Sequence, residues 1–154
     1  MIFEKKTINL KDGRTGILRP VETKDAEAMI EYLRIVSSET PFLLRNEDEV
    51  TLTVEAEEKL LESKRNAFRE IMMVAEVEGM IAGNCGISLR GNLRRVSHRC
   101  DFAIALKEAC WNLGISAKFN IVITADWTCS LHLRTTLKIT SAKRHQISSW
   151  NYNM

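Results

Sequence analysis

The side chains best able to do chemistry crowd into residues 98–116, HRCDFAIALKEACWNLGIS, where a histidine, a carboxylate, two cysteines and a glycine turn follow one another. Cys85, Cys100, Cys110 and Cys129 lie 15, 10 and 19 residues apart, with no C-x-x-C pair and no histidine in zinc-ligand register, so no metal site is expected. Nor does a histidine or cation stand where it would activate a thiolate. Cys100 and Cys110 therefore read as small buried hydrophobes, and all four thiols are expected to be free. His98 reads as a solvated or hydrogen-bonding strand histidine, with a role as proton acceptor ranked second. The basic run Arg90, Arg94, Arg95, His98 and Arg99 reads as a solvated hairpin loop in preference to an RNA-binding surface. Taken alone, WNLGIS at 111–116 is a strand-to-helix turn.

These residues need a scaffold, and composition bounds it. A chain of 154 residues, 45% hydrophobic and 27% charged, can bury a core and points to one globular domain. Apolar runs such as residues 71–75 fall far short of the roughly 20 residues of a membrane span. Lys5 and Lys6 interrupt any signal-like start, so a cytoplasmic protein is expected. A net charge of +2 selects neither nucleic acid nor a membrane surface as partner.

Asp12-Gly13 between residues 7–10 and 14–19 predicts an opening β-hairpin ended by Pro20. Thr23 is the expected N-cap of a first helix with Ala26, Met29, Ile30 and Leu33 on its apolar face. Residues 37–46 form an irregular connection around Pro41. Thr53 then caps a second helix through Lys64, with Val54 and Leu61 on one face and Glu-Lys pairs on the other. Residues 69–77 and 80–89 predict a hairpin turning at Glu78-Gly79. Residues 97–106 return as a strand with Cys100, Phe102, Ile104 and Leu106 on one side. The result is an α+β layout, helices covering a mixed, mostly antiparallel sheet.

Beyond Ser116 the character changes. Residues 117–154 hold five basic residues against one acid, Asp126, and contain no glycine, proline or glutamate. Phe119, Ile121, Ile123, Ala125, Trp127, Cys129, Leu131 and Leu133 alternate with mostly polar residues, a strand period in place of the helical one.

Residues 98–116 resemble the GCN5-related N-acetyltransferase (GNAT) family, in particular its small bacterial members. The resemblance extends through LRPVETKDAEAMIEYL, ETPFLL and MVAEVEGMIAGNCGISL, and so runs from about residue 18 to 114. It implies transfer of an acetyl group from acetyl-CoA to a primary amine on a small molecule, peptide or protein, with acetyl-CoA as cosubstrate and no metal. In the family, the strand ending here at Leu106, carrying Ile104 and Ala105, bonds the pantetheine arm through its backbone. The following loop, R/Q-x-x-G-x-G/A, aims backbone N–H groups at the coenzyme diphosphate. Here that loop reads Trp111, Asn112, Leu113, Gly114, Ile115 and Ser116, with Trp at the first position and Ser in place of the last small residue. Asp101 falls where some members place the carboxylate that deprotonates the amine. Direct attack on the thioester would follow, with a strand N–H holding the oxyanion.

The resemblance stops where the composition changes. Residues 1–116 are read as a GNAT-like domain and 117–154 as an atypical segment of it. A single-base frameshift or a divergent natural ending would each account for that segment. The family's late N-x-x-A-x-x-x-Y-x-x-x-G-F pattern is absent, so Tyr152 is assigned no role as general acid. Two other functions stay open: an inactive CoA-binding module, and an interaction protein, such as a homodimer, that pairs through the tail.

Overall fold

The computed structural model describes residues 3–40, 43, 46–68, 70–89, 100–123 and 150–152, with backbone alone at 89, 100 and 150–152. Six strands form one sheet in chain order: β1 Lys6–Asn9, β2 Thr15–Pro20, β3 Ile71–Val77, β4 Met80–Leu89, β5 Cys100–Leu106 and β6 Trp150–Tyr152. Every pairing among them is antiparallel. Helices α1 (Ala26–Glu39) and α2 (Val54–Asn66) cover one face, and α3 (Ile115–Val122) covers the other.

The sheet is buried on both sides because its central strand is apolar at every position but Glu76. Ile71, Met73, Ala75 and Val77 face Ile115, Phe119 and Val122 of α3, while Val74 turns toward Met29, Tyr32, Val36 and Leu61 of the other layer. This is the period-two alternation of a strand with two apolar partners. The β3–β4 hairpin closes at Glu78 and Gly79, both with positive φ (53° and 78°), a turn whose twist matches that of the strands.

Several local expectations need correction. Thr23 does not cap α1. Residues Thr23–Asp25 form a 3-10 turn whose capping box joins Glu22 to Asp25, and α1 starts one residue later. The helix then runs through Glu39, so residues 37–39, expected in the connection, are helical. Thr53 does cap α2, its hydroxyl accepting the Ala56 N–H at 3.2 Å. On that helix, however, Leu61 and Glu57 are buried while Val54 is exposed.

The largest correction concerns the start of the tail. Residues 115–122 are a helix and not a strand, with Ile115, Phe119, Val122 and Ile123 buried at spacings of four, three and one. The alternating reading relied on Ile121, which faces outward. An apolar run as dense as FNIVI satisfies both periods, and the core beneath β1 to β4 selects the helical one. The rest of the expected strand, residues 124–133, lies outside the described residues.

Candidate active site

Strand β5 pairs with β4 along its whole length, from Leu89 opposite Cys100 to Gly83 opposite Leu106. Its other edge meets β6 only at Cys100, Asp101 and Phe102. Among the described strands, the outer edge of residues 103–106 has no partner. An unpaired edge offers N–H and C=O groups to an extended ligand at fixed spacing.

Two devices fix that edge in place. A Cβ on Gly83 would stand 2.2 Å from Leu106 Cδ2 and 2.8 Å from the Ala105 carbonyl oxygen, so β4 approaches β5 there more closely than any side chain permits. One pair further along, the buried Tyr32 hydroxyl of α1 accepts the Asn84 N–H at 3.2 Å and donates to the Ala105 carbonyl at 2.8 Å. Burial raises the Tyr32 hydroxyl well above the ordinary tyrosine range, so it is a neutral strut. Phe102, Ile104 and Leu106 lean on the core shared with α3, while Ala105 packs on the α1 side.

Beyond Leu106 the chain turns sharply. Lys107 donates its N–H to the Ala82 carbonyl at 3.0 Å, Glu108–Cys110 form a 3-10 turn, and the Trp111 indole donates back to the Leu106 carbonyl at 2.9 Å. Asn112 and Gly114 then adopt left-handed backbone, with φ of 62° and 87°. Asparagine is the non-glycine residue that best tolerates this region, and Gly114 needs no tolerance. The pair of reversals swings the chain into α3, with Gly114 as its N-cap.

The start of α3 is open. Its first N–H groups have no acceptor within the helix, and among the described residues no side chain caps them and no other backbone group accepts the N–H of Gly114, Ile115, Ser116 or Ala117. The first turns of α1, α2 and the 3-10 segments Thr23–Asp25, Glu47–Glu49 and Glu108–Cys110 all carry an acid; that of α3 carries none. The positive end of its dipole is therefore uncompensated by its own side chains and able to receive an anion. This ordered helix supplies what the strand reading of the tail had removed. Asn112 is exposed and Ser116 is exposed, whereas Leu113 packs on the core and Ile115 is fully buried, so the last two anchor the loop through their side chains.

Asp101 lies mid-strand, half-buried, opposite Ser88 on β4 and Asn151 on β6. It sits two residues before the unpaired edge begins. His98 and the basic run at 90–99 lie outside the described residues, as does Cys129; Cys100 is described in backbone only. Cys85 and Cys110 are free and buried, and burial pushes both thiols up, away from the reactive thiolate. Among the described residues, no cluster of three or more histidine, cysteine or acidic side chains could hold a metal, and no helix is long and apolar enough to cross a membrane. Sequence reasoning missed Tyr32 and Gly83. Their only local signal is residue type, and their contacts span 73 and 23 positions of chain respectively.

No protein-family model matches the sequence, and neither does any curated protein. Solved structures do match. A GNAT-family acetyltransferase from Streptococcus pneumoniae superposes with a TM-score of 0.71 at 29% identity, over 77% of this chain and 70% of that one. The chain resembles GNAT-family acetyltransferases in sequence and in fold. More distant acetyltransferase structures share the fold. One is yncA from Salmonella typhimurium, solved with acetyl-CoA, at TM-score 0.58, 14% identity and coverage of 71% and 61%. Another is a ribosomal-protein-alanine N-acetyltransferase from Brucella melitensis, at TM-score 0.57, 19% identity and coverage of 70% and 64%. The α+β expectation is thus met: the chain carries the antiparallel sheet, flanked by helices, of its GNAT-family structural neighbour.

Proposed function

We propose that this chain is a GNAT-type N-acetyltransferase that binds acetyl-CoA and transfers its acetyl group to a primary amine. The observation that carries the reading is the adjacency of two open hydrogen-bonding surfaces, the edge of β5 at residues 103–106 and the uncapped start of α3 at Gly114. An extended ligand with an amide-containing arm and an anionic end matches that pair of surfaces, and acetyl-CoA has both parts.

In this reading Ile104, Ala105 and Leu106 offer backbone groups to the pantetheine arm. Asn112, Leu113, Gly114, Ile115 and Ser116 wrap the diphosphate, chiefly through N–H groups. The loop fits that task because Gly114 has no Cβ and the nearest atoms to such a Cβ, on Lys11, stand 3.8 Å away. Asp101, upstream on the same strand, accepts the proton of the incoming amine, directly or through water. A strand N–H stabilises the charge that develops on the thioester carbonyl oxygen.

Calorimetric titration with acetyl-CoA, followed by thiol release against a panel of amines, tests the proposal. Saturable binding with turnover on at least one amine is expected, and Asp101→Asn should retain binding while turnover falls by about 100-fold or more. Absence of acetyl-CoA binding overturns the reading. Binding without thiol release on any amine would leave a coenzyme-binding module instead.

A further inference from the structure

We propose that Lys11, delivered by the N-terminal hairpin, is the cation that pairs with the diphosphate of the coenzyme, an inference that rests on the acetyl-CoA reading above. The loop at 111–116 carries no charged side chain, so whatever positive charge meets the diphosphate must come from elsewhere in the fold. The β1–β2 turn is docked against it. The Lys11 N–H donates to the Leu113 carbonyl at 3.2 Å, and the Lys11 side chain runs past Gly114, its Cγ and Cε 3.9 and 3.8 Å from where a Cβ would stand. The ammonium is one bond beyond that Cε, beside the N-cap of α3.

Two other cations of the region are engaged elsewhere. Arg14 binds Asp12 at 2.8 Å and Glu78 at 3.0 Å, closing a three-member network at the hairpin tip. Lys107 sits near the Tyr32 ring, 6.0 Å from its centroid, on the α1 side of the strand. Lys11 is exposed, and among the described residues it forms no ion pair with a carboxylate. An unpaired ammonium next to an uncapped helix start is a composite anion site in which the charge and the N–H donors come from opposite ends of the chain.

Calorimetry on the full chain with CoA and with dephospho-CoA, at two salt concentrations, tests the assignment. Lys11→Met should weaken both ligands equally, by about tenfold at low salt, and flatten the salt dependence. Lys11→Arg should remain within about threefold of the unaltered chain, and thermal unfolding of both variants should be unchanged because the residue is exposed. Unaltered affinity of Lys11→Met for CoA overturns the role of Lys11 and leaves the site standing. A loss confined to CoA, with dephospho-CoA unaffected, also overturns it, since the lysine would then meet the 3′-phosphate. Failure of the unaltered chain to bind either ligand overturns the site itself and this role with it.

Discussion

Two polar regions of this protein are finished differently. At the junction of β2, β3 and α1, Arg19 makes a bidentate pair with Asp25 at 2.7 and 2.9 Å and a third bond to Glu76 at 2.9 Å, while Asp25 also accepts the Glu22 N–H at 2.8 Å. All the partners there are internal. At the start of α3 the N–H groups of residues 114–117 have none among the described residues, and the cation beside them, Lys11, is also unpaired. Both regions lie where a strand hands over to helical backbone, so position in the fold does not explain the contrast. A polar cluster that satisfies itself holds the structure together, and one left incomplete is suited to completion by a ligand.

The sharpest way to break the comparison is to damage the closed cluster and ask whether the open one notices. Burial pushes the Asp25 carboxyl up, but the Arg19 hydrogen bonds and the Glu22 N–H outweigh it and hold it below the usual aspartate range. Asp25→Asn leaves a mostly buried guanidinium without its main counter-charge and should cost about 3 kcal/mol in urea unfolding, with acetyl-CoA affinity unchanged. The pH dependence carries the same sign. A carboxylate depressed in the folded state contributes stability above its unfolded pKa, near 3.8, and loses it as pH falls through that value and below. Unfolding midpoints between pH 6 and 2.5 should therefore show an acid-side loss that Asp25→Asn reduces.

Much of the fold is written in short-range signals. The hairpins announce themselves through Asp12-Gly13 and Glu78-Gly79, the second helix through Thr53, and β4 runs from Met80 to Leu89 as the expected partner strand after the Glu78-Gly79 turn. Failures came where two local readings competed and a distant contact decided. Residues 115–122 satisfy a strand period as well as a helical one until Phe119 finds the underside of the sheet. Thr23 is the better cap by residue type, but Arg19 recruits Asp25, and the capping box closes on Glu22, one residue earlier. The loop at 111–116 was legible as a motif, whereas its docked partner Lys11 was not, because about 100 residues of chain separate the hydrogen-bonded pair.

A second test lies at the strut that joins α1 to the edge of the site. Tyr32→Phe removes the donor to the Ala105 carbonyl and the acceptor of the Asn84 N–H in one step, leaving two buried backbone groups to find each other or go unpaired. A stability loss of about 2 kcal/mol is expected from denaturant unfolding. Unlike Asp25→Asn, this change should also weaken acetyl-CoA, by about two- to fivefold, because Ala105 belongs to the unpaired edge. Unaltered affinity despite the stability loss would separate the strut from the site.

The smallest expected cost to folding, and the most selective one for the site, comes from Gly114. Its φ of 87° is a conformation that an L residue adopts only with strain, and a side chain there would meet the Lys11 stem at ordinary contact distance, with no clash to unfold the loop. Gly114→Ala should thus lower stability by only about 1 kcal/mol. The methyl group, however, would project beside the N-cap, between the Lys11 side chain and the N–H groups that an incoming diphosphate must reach. Acetyl-CoA affinity should fall by about tenfold, an effect of similar energy to the stability change but read at a different place. Asp25→Asn loses stability and keeps affinity; Gly114→Ala does nearly the reverse. If both variants lost the two properties in parallel, binding would be reporting global opening of the fold, and the division between a self-satisfied corner and a ligand-completed one would not hold.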